Sequence, residues 1–350
     1  MKRKFCVVFD YYYNNGGASH VANEEVKSLL IFGYDAKCVA LRHSRRCFQF
    51  FEAFSCNIQI LLFFIFTSRC FVVHTFSFFP IILFLATISP KRFLFVVHDY
   101  LAICPSKAMY NFRKQDICGI QGASLPCFKE NCGYSSNKKF FHSAYTVWFK
   151  VFAKFRGFKF RALSSKSAQL FENDLGLNVS VLPNLYVWRS GWTEEMASNF
   201  GSIHPYIVFA GRASLDKGYD RFENLVSHKY HKVHVGASGM DTDKDTYLGW
   251  MHQSGVEYVV SKASAIIYPA RQIDCDPLIL QLALKYRIPF FVDVKNASAD
   301  TVSKYLGKQF VVSDWDNFLI DSINLSLNEN FSYRQVDADA VVSFYSNAFS

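Results

Sequence analysis

An arginine and a lysine five residues apart, in "IVFAGRASLDKGYDRF", are the side chains best placed to do chemistry. An apolar run ends at Gly211, Arg212 follows at once, and Lys217-Gly218 stands where the next helix opens. A guanidinium grips paired oxygens through its fork and an ammonium acts as a point charge, so together they suit a diphosphate. Surface cations are unremarkable elsewhere; directly after a buried strand they point to a site. A second candidate is "DYYYNNGGASHVANEE", where Gly16 and Gly17 lie in a turn before a helix. Adjacent glycines let backbone approach a phosphate and the helix start adds partial positive charge, although any tight turn uses the same residues. The dinucleotide pattern G-x-G-x-x-G is absent. His98 and Asp99 follow the run "FLFVV". A histidine there either meets a sugar hydroxyl or moves a proton, or simply ends a strand; His74 stands similarly after the preceding apolar strand. Finally, "PARQIDCDPLILQLALKYRIPFF" gathers Asp274, Asp276 and Gln281 around the start of an apolar helix. A ligand hydroxyl or anion is one reason for such a cluster, and an N-cap at Asp274 is the other.

These residues need elements to hold them, and the composition says which kind. At 350 residues with 51% apolar and 19% charged residues, the chain has material for two domains with separate cores and is too apolar for disorder. Short β-branched or aromatic runs alternate with helical stretches, the pattern of parallel α/β layers. Expected strands in the first half are "KFCVVFD", "DAKCVAL", "CFVVHTF", "FLFVVHD" and "FRALSSKS", with helices over 20–32 and 81–88. In the second half they are "YIVFAG", "HKVHVGAS", "VEYVV", "SAIIYP", "PFFVDV" and "QFVVS". The expected fold is two Rossmann-like doubly wound domains facing a central cleft, where ligands sit beyond the carboxyl ends of the strands. Residues 1–185 form the first, 186–331 the second, and 332–350 a helix free to join either.

The net charge of +9 fits nucleic acid, an anionic membrane or phosphorylated small molecules. No RNA-binding signature, zinc-finger spacing or basic heptad is present, so nucleic acid ranks last. The apolar run after "MKRK" is about five residues, short of the roughly 7–15 of a signal peptide. The expectation is a first strand, a cytoplasmic protein and reduced cysteines. Cys104, Cys118, Cys127 and Cys132 cluster but lack paired C-x-x-C knuckles, so buried or loop thiols are favoured over zinc. Residues 58–89 are the most apolar, yet Ser68-Arg69, His74 and Pro80 interrupt the roughly 20 residues that a spanning helix needs. A strand, a loop and a buried helix is the expected reading, with a membrane-embedded segment as the alternative.

"GRASLDKGYDRF" resembles the Gly-Arg…Lys-Gly motif of the retaining, nucleotide-sugar-dependent GT-B glycosyltransferases. The type is the family-4-like one of bacterial surface polysaccharide, O-antigen and capsule biosynthesis. "NNGGASHVANE", "VVHTFSFFP", "VVHDYLAICP", "VLPNLYV", "VHVGASG" and "ASAIIYP" are similar to further family segments, in the family's order. The resemblance implies a nucleotide-diphospho-sugar donor on the second domain and an acceptor, glycan or lipid-linked oligosaccharide, on the first. It implies transfer with retention, no cofactor and no required metal. Arg212 and Lys217 would neutralise the donor diphosphate, Gly16 and Gly17 would approach it, and His98 would contact the sugar or acceptor. Asp276-Pro277-Leu278 would form the turn that meets the donor sugar, joined by Asp274, and Gln281 would meet a ribose hydroxyl. The family places a glutamate at position 281 and another at 273, where this chain has Gln281 and Ile273.

Residues 137–171 carry eight Lys or Arg and no Asp or Glu, interleaved with aromatics. Such a helix suits an anionic membrane face, with Lys150, Lys154 and Arg156 as the patch, or else packs its aromatics inward and solvates its lysines. The expected protein is a retaining glycosyltransferase of lipopolysaccharide or related surface-polysaccharide assembly, peripheral on the inner face of the cell membrane. The rivals are a degenerate homologue that binds a sugar nucleotide or an assembly partner without transfer, and an epimerase or phosphorylase on the same fold.

Overall fold

The computed structural model describes residues 3–11, 17–42, 46–74, 80–111, 114–118, 127, 136–185, 205–327 and 336–349. The chain divides into two compact units. The first comprises Met1–Arg113, Cys118–Tyr186 and Val336–Ser350; the second comprises Lys114–Ile117 and Val187–Gln335.

In the first unit, strands β1 (Lys4–Tyr11), β2 (Asp35–Arg42), β3 (Cys70–Val73), β4 (Phe93–Val97), β5 (Lys159–Ala162) and β6 (Val179–Val181) form one sheet. Its order is β2-β1-β3-β4-β5-β6, and every pairing is parallel. Parallel strands are covered on both faces, which is why β3 and β4 read as unbroken apolar runs and Phe71, Val72, Phe93 and Phe95 are buried. The crossover helices are α1 (Gly17–Ile31), α2 (Arg46–Phe66), α3 (Pro80–Ile88), α4 (Ser136–Arg156) and α5 (Ser165–Leu175). Right-handed crossovers put α1 on one face of this strand order and α2 to α5 on the other. Accordingly α1 packs on the C-terminal helix Ala338–Ala348, while α2, α3, α4 and α5 pack side by side in that sequence.

The second unit holds β7 (Tyr206–Ala210), β8 (His231–Val235), β9 (Asp245–Gly249), β10 (Ala265–Tyr268), β11 (Phe290–Asp293) and β12 (Val311–Val312). The order is β9-β8-β7-β10-β11-β12, again all parallel. This is the dinucleotide-fold strand order, with its reversal between β7 and β10. Helices α6 (Tyr219–Glu223), α7 (Gln253–Lys262), α8 (Leu278–Tyr286) and α9 (Ala299–Tyr305) connect the strands. Val208, Phe209, Ile266, Ile267, Phe291 and Leu282 centre the core.

Two readings of the sequence change. "VEYVV" lies within α7 rather than a strand: Ser254 N donates to the His252 side chain at the helix start, and Val259 and Val260 are buried on its inner face. A β-branched pair facing a core looks the same in either conformation. The other change is α2, a 21-residue helix over Arg46–Phe66 where the sequence pattern indicated none. Its apolar residues run around the whole helix and hide the 3.6-residue period. No helix among the described residues is long and apolar enough to cross a membrane.

Candidate functional site

The carboxyl ends of β7 and β10 meet at the strand-order reversal of the second unit. Beyond β7 the chain passes Gly211 and Arg212 into a helical turn, Leu215–Lys217, closed by Gly218 at φ 67°. A Cβ at position 218 would overlap the Pro269 carbonyl beyond β10. Glycine is thus required twice, for the left-handed backbone and for the close approach. That approach carries Lys217 to the loop after β10, where Nζ stands 2.9 Å from both carboxylate oxygens of Asp274 and 3.1 Å from the Tyr268 hydroxyl. The Tyr268 hydroxyl donates to the same carboxylate, and Gln272 Nε2 lies 2.5 Å from Asp274 Oδ1.

Asp216, buried in the same turn, ties the two loops together. Its backbone carbonyl accepts from the Arg271 and Gln272 amides, each at 3.0 Å. Its Oδ2 is 3.1 Å from Arg212 Nη2, while the Arg212 side chain remains 61% exposed. Burial first, then the Asp274 charge and hydrogen bond, hold the Tyr268 hydroxyl well above its ordinary pKa; the Arg212 charge acts the other way. Tyr268 is therefore a donor throughout the neutral range. The cluster presents one exposed guanidinium, Arg212, beside a lysine held on a carboxylate, with a tyrosine between their fields. Arg212 stays largely exposed beside its bond to Asp216, whereas Lys217 is held on Asp274.

At the start of α8, Pro277 occupies the N-cap position and no side chain caps the helix. Asp274 is thus not an N-cap; its carboxylate belongs to Lys217. Gln281 is buried, its Nε2 3.2 and 3.3 Å from the two Asp276 oxygens. After β8, Gly236 at φ 86° packs so tightly on the Gly211 carbonyl that a Cβ would collide with it.

In the first unit, His74 and His98 end the neighbouring strands β3 and β4. His98 Nε2 is 2.8 Å from His74 Nδ1, and His74 Nε2 is 3.0 Å from Glu25 Oε2. Glu25, on α1, pairs at 2.7 Å with Arg161 of β5 and accepts from the Tyr345 hydroxyl of the C-terminal helix. Burial raises the Glu25 carboxyl, but Arg161, His74 and the bonds from His74 and Tyr345 outweigh it and hold it well below the usual range. Burial, then the charge on His74, holds His98 well below the ordinary histidine value. Which ring donates across the His74–His98 contact is set by their tautomers. The sequence had singled out His98 and His74, but not Glu25, Arg161 or Tyr345.

The remaining candidates are dispersed. Gly17 is the exposed first residue of α1; Gly16, residues 75–79 and Cys132 lie outside the described residues. Burial pushes the Cys6 thiol up to about 12 and raises Cys104 too. Among the described residues no three His, Cys, Asp or Glu converge as a metal site. Lys154 and Arg156 are exposed at the end of α4, whereas Lys150 turns to α5, 2.5 Å from Asp174.

The fold built by these two sheets has solved counterparts. Sucrose-phosphate synthase from Thermosynechococcus elongatus superposes with TM-score 0.55 at 9% identity, covering 85% of this chain and 84% of that one. The catalytic domain of starch synthase IV from Arabidopsis thaliana, bound to ADP and acarbose, gives 0.53 at 12%, covering 99% and 92%. HepE from Anabaena, in complex with UDP-glucose, gives 0.53 at 10%, covering 84% and 82%. The chain has the GT-B fold. At these identities the likeness is one of architecture. No protein-family model matches the sequence, and no curated protein matches it. Within the GT-B fold, the Arg212/Lys217 cluster occupies the switch point of the second Rossmann-like unit, the usual ligand position in open α/β sheets.

Proposed function

We propose that this GT-B protein is a retaining glycosyltransferase. It would move a sugar from a nucleotide-diphospho-sugar to a lipid-linked glycan acceptor in surface-polysaccharide assembly, O-antigen and lipopolysaccharide included, at the inner face of the cell membrane. The observation that carries the reading is the convergence of Arg212, Lys217, Tyr268 and Asp274 at one strand-order reversal. Arg212 and Lys217 meet the diphosphate, and their charge stabilises the phosphate oxygen as its bond to the anomeric carbon breaks. The acceptor oxygen bonds to that carbon on the same face, and its proton passes to the departing phosphate. The charge is then balanced by protein cations, and the reaction calls for no bound metal and no glycosidase-like carboxylate pair. Asp274, drawn off Lys217 by the phosphate, is positioned for a hydroxyl of the sugar; the Asp276-Pro277-Leu278 turn and Gln281 serve sugar and ribose. His98, neutral at physiological pH, meets the acceptor or sugar.

The test is release of nucleoside diphosphate from a panel of nucleotide-sugars with and without lipid-linked acceptors, with the anomeric configuration of the product read by NMR. Acceptor-dependent release with retention, lost in Arg212→Ala and Lys217→Ala, is expected. Binding without turnover on any acceptor would overturn it in favour of a second reading. That reading rests on Gln281, whose amide is already engaged by Asp276: a homologue that holds a sugar nucleotide without transferring sugar.

A further inference from the structure

Among the described residues, ten of the nineteen exposed large apolar side chains lie on three neighbouring helices of the first unit. They form stripes at helical spacing: Phe54, Ile58, Leu62, Ile65 and Phe66 on α2, Phe84 and Ile88 on α3, and Trp148, Val151 and Phe155 on α4. Each recurs at three or four residues, so each stripe is one outward face. The opposite faces pack on the sheet through Cys56, Ile60, Leu83, Ala86, Phe149 and Ala153, all buried. Phe155 is 81% exposed and Phe66 76%. Scattered exposed apolar residues need no explanation, but side-by-side stripes mark a surface that something covers.

Charge identifies the cover. Residues 53–98 and 137–171, which supply all of the face, contain no Asp or Glu, and Glu52 of α2 is the one carboxylate in the sequence of the three helices. Of their cations, Arg69, Lys150 and Arg161 turn inward to Asp35, Asp174 and Glu25. Lys91, Lys154 and Arg156 stay exposed at the ends of α3 and α4. A second copy of this chain would set these cations against their own images with no carboxylate from either segment to answer them. An anionic bilayer answers both features at once, taking the apolar side chains below its headgroups and the cations among them. We infer that the α2–α3–α4 face is a monotopic docking surface for an anionic lipid bilayer. The surface differs from the basic helix alone, because α2 and α3 supply most of its apolar side chains and Lys150 no part of it.

Vesicle flotation of the full chain, without nucleotide-sugar, tests this, so its outcome is separate from that of the transferase reading. Vesicles of phosphatidylglycerol with phosphatidylcholine are compared with phosphatidylcholine alone. Wild type is expected to float with the anionic vesicles and to be released by salt. Phe66→Ser with Phe155→Ser should weaken binding by about tenfold or more. Lys154→Glu with Arg156→Glu should remove the preference for anionic lipid with both phenylalanines intact. Both pairs are exposed, and thermal unfolding checks that each variant stays folded. Wild type left in the soluble fraction, or a serine variant floating like wild type, would overturn the inference. So would a dimer in sedimentation that the serine pair dissociates, with no vesicle binding; the face would then belong to a second copy.

Discussion

Lys217 is the residue on which the candidate site turns, because its ammonium is held by Asp274 before any phosphate arrives. Removing the carboxylate frees the cation. Asp274→Asn is expected to tighten binding of a free nucleoside diphosphate by about tenfold, since a charge-assisted partner of roughly 1.5–3 kcal/mol no longer competes. The same variant should lower sugar transfer, and calorimetry beside a turnover assay would show the opposed effects. Gln281 supports a second prediction. Its amide donates to Asp276, so Gln281→Glu would set a buried carboxylate about 3 Å from the half-buried one of Asp276 and raise one pKa. That substitution should therefore cost about 1–3 kcal/mol of stability at neutral pH, measured by urea unfolding. Gln281→Glu combined with Asp276→Asn should recover most of it; equal stability of all three proteins would refute the pairing. Arg212, Lys217, Asp274, Gln281 and His98 were legible as candidates because each follows a strand or opens a helix. Tyr268 was not, being one more aromatic in an apolar strand. Nor was Glu25, whose partners Arg161 and Tyr345 lie 136 and 320 residues away.

Among the elements, the short turn from β7 into α6 does the positioning, and Gly218 is its critical residue. Gly218→Ala must displace the Pro269 backbone and adopt a disfavoured φ, so a loss of about 1–3 kcal/mol is expected, with weakened diphosphate binding although no ligand contact is removed. The buried network joining α1, β3, β4, β5 and the C-terminal helix gives a pH dependence of definite sign. The Glu25 carboxyl is depressed in the folded state, so its stabilisation is complete above about pH 4.3 and drains as pH falls toward the folded value. The His98 imidazole is also depressed. Below about pH 6.5 the unfolded chain takes up a proton that the folded chain refuses, which lowers stability further. The urea midpoint should thus fall steadily from pH 7 to pH 4, and Glu25→Gln should flatten the segment below about pH 4.3. Most strands were legible because both faces of a parallel sheet are apolar. The edge strand β9, half-exposed with Asp245 and Thr246, was not. The run in α7 misled because local pattern does not say which element a buried β-branched pair belongs to.

For the whole molecule, composition and element order led to two Rossmann-like units, and the GT-B fold follows from two six-stranded parallel sheets. The net charge of +9 is spread over both: Arg212 and Lys217 on the second unit, Lys91, Lys154 and Arg156 beside the apolar stripes of the first. The apolar surface itself was not legible, because the sequence shows how much is apolar but not which faces the fold leaves uncovered. The central claim is that a nucleotide-diphospho-sugar binds where β7 and β10 end. Isothermal titration of the full chain with UDP-, ADP- and GDP-sugars tests it most directly. The account predicts saturable binding of at least one, weakened by about a hundredfold or more in the Arg212→Ala/Lys217→Ala double variant. Failure of wild type to bind any of them, or equal affinity in the folded double variant, would contradict it.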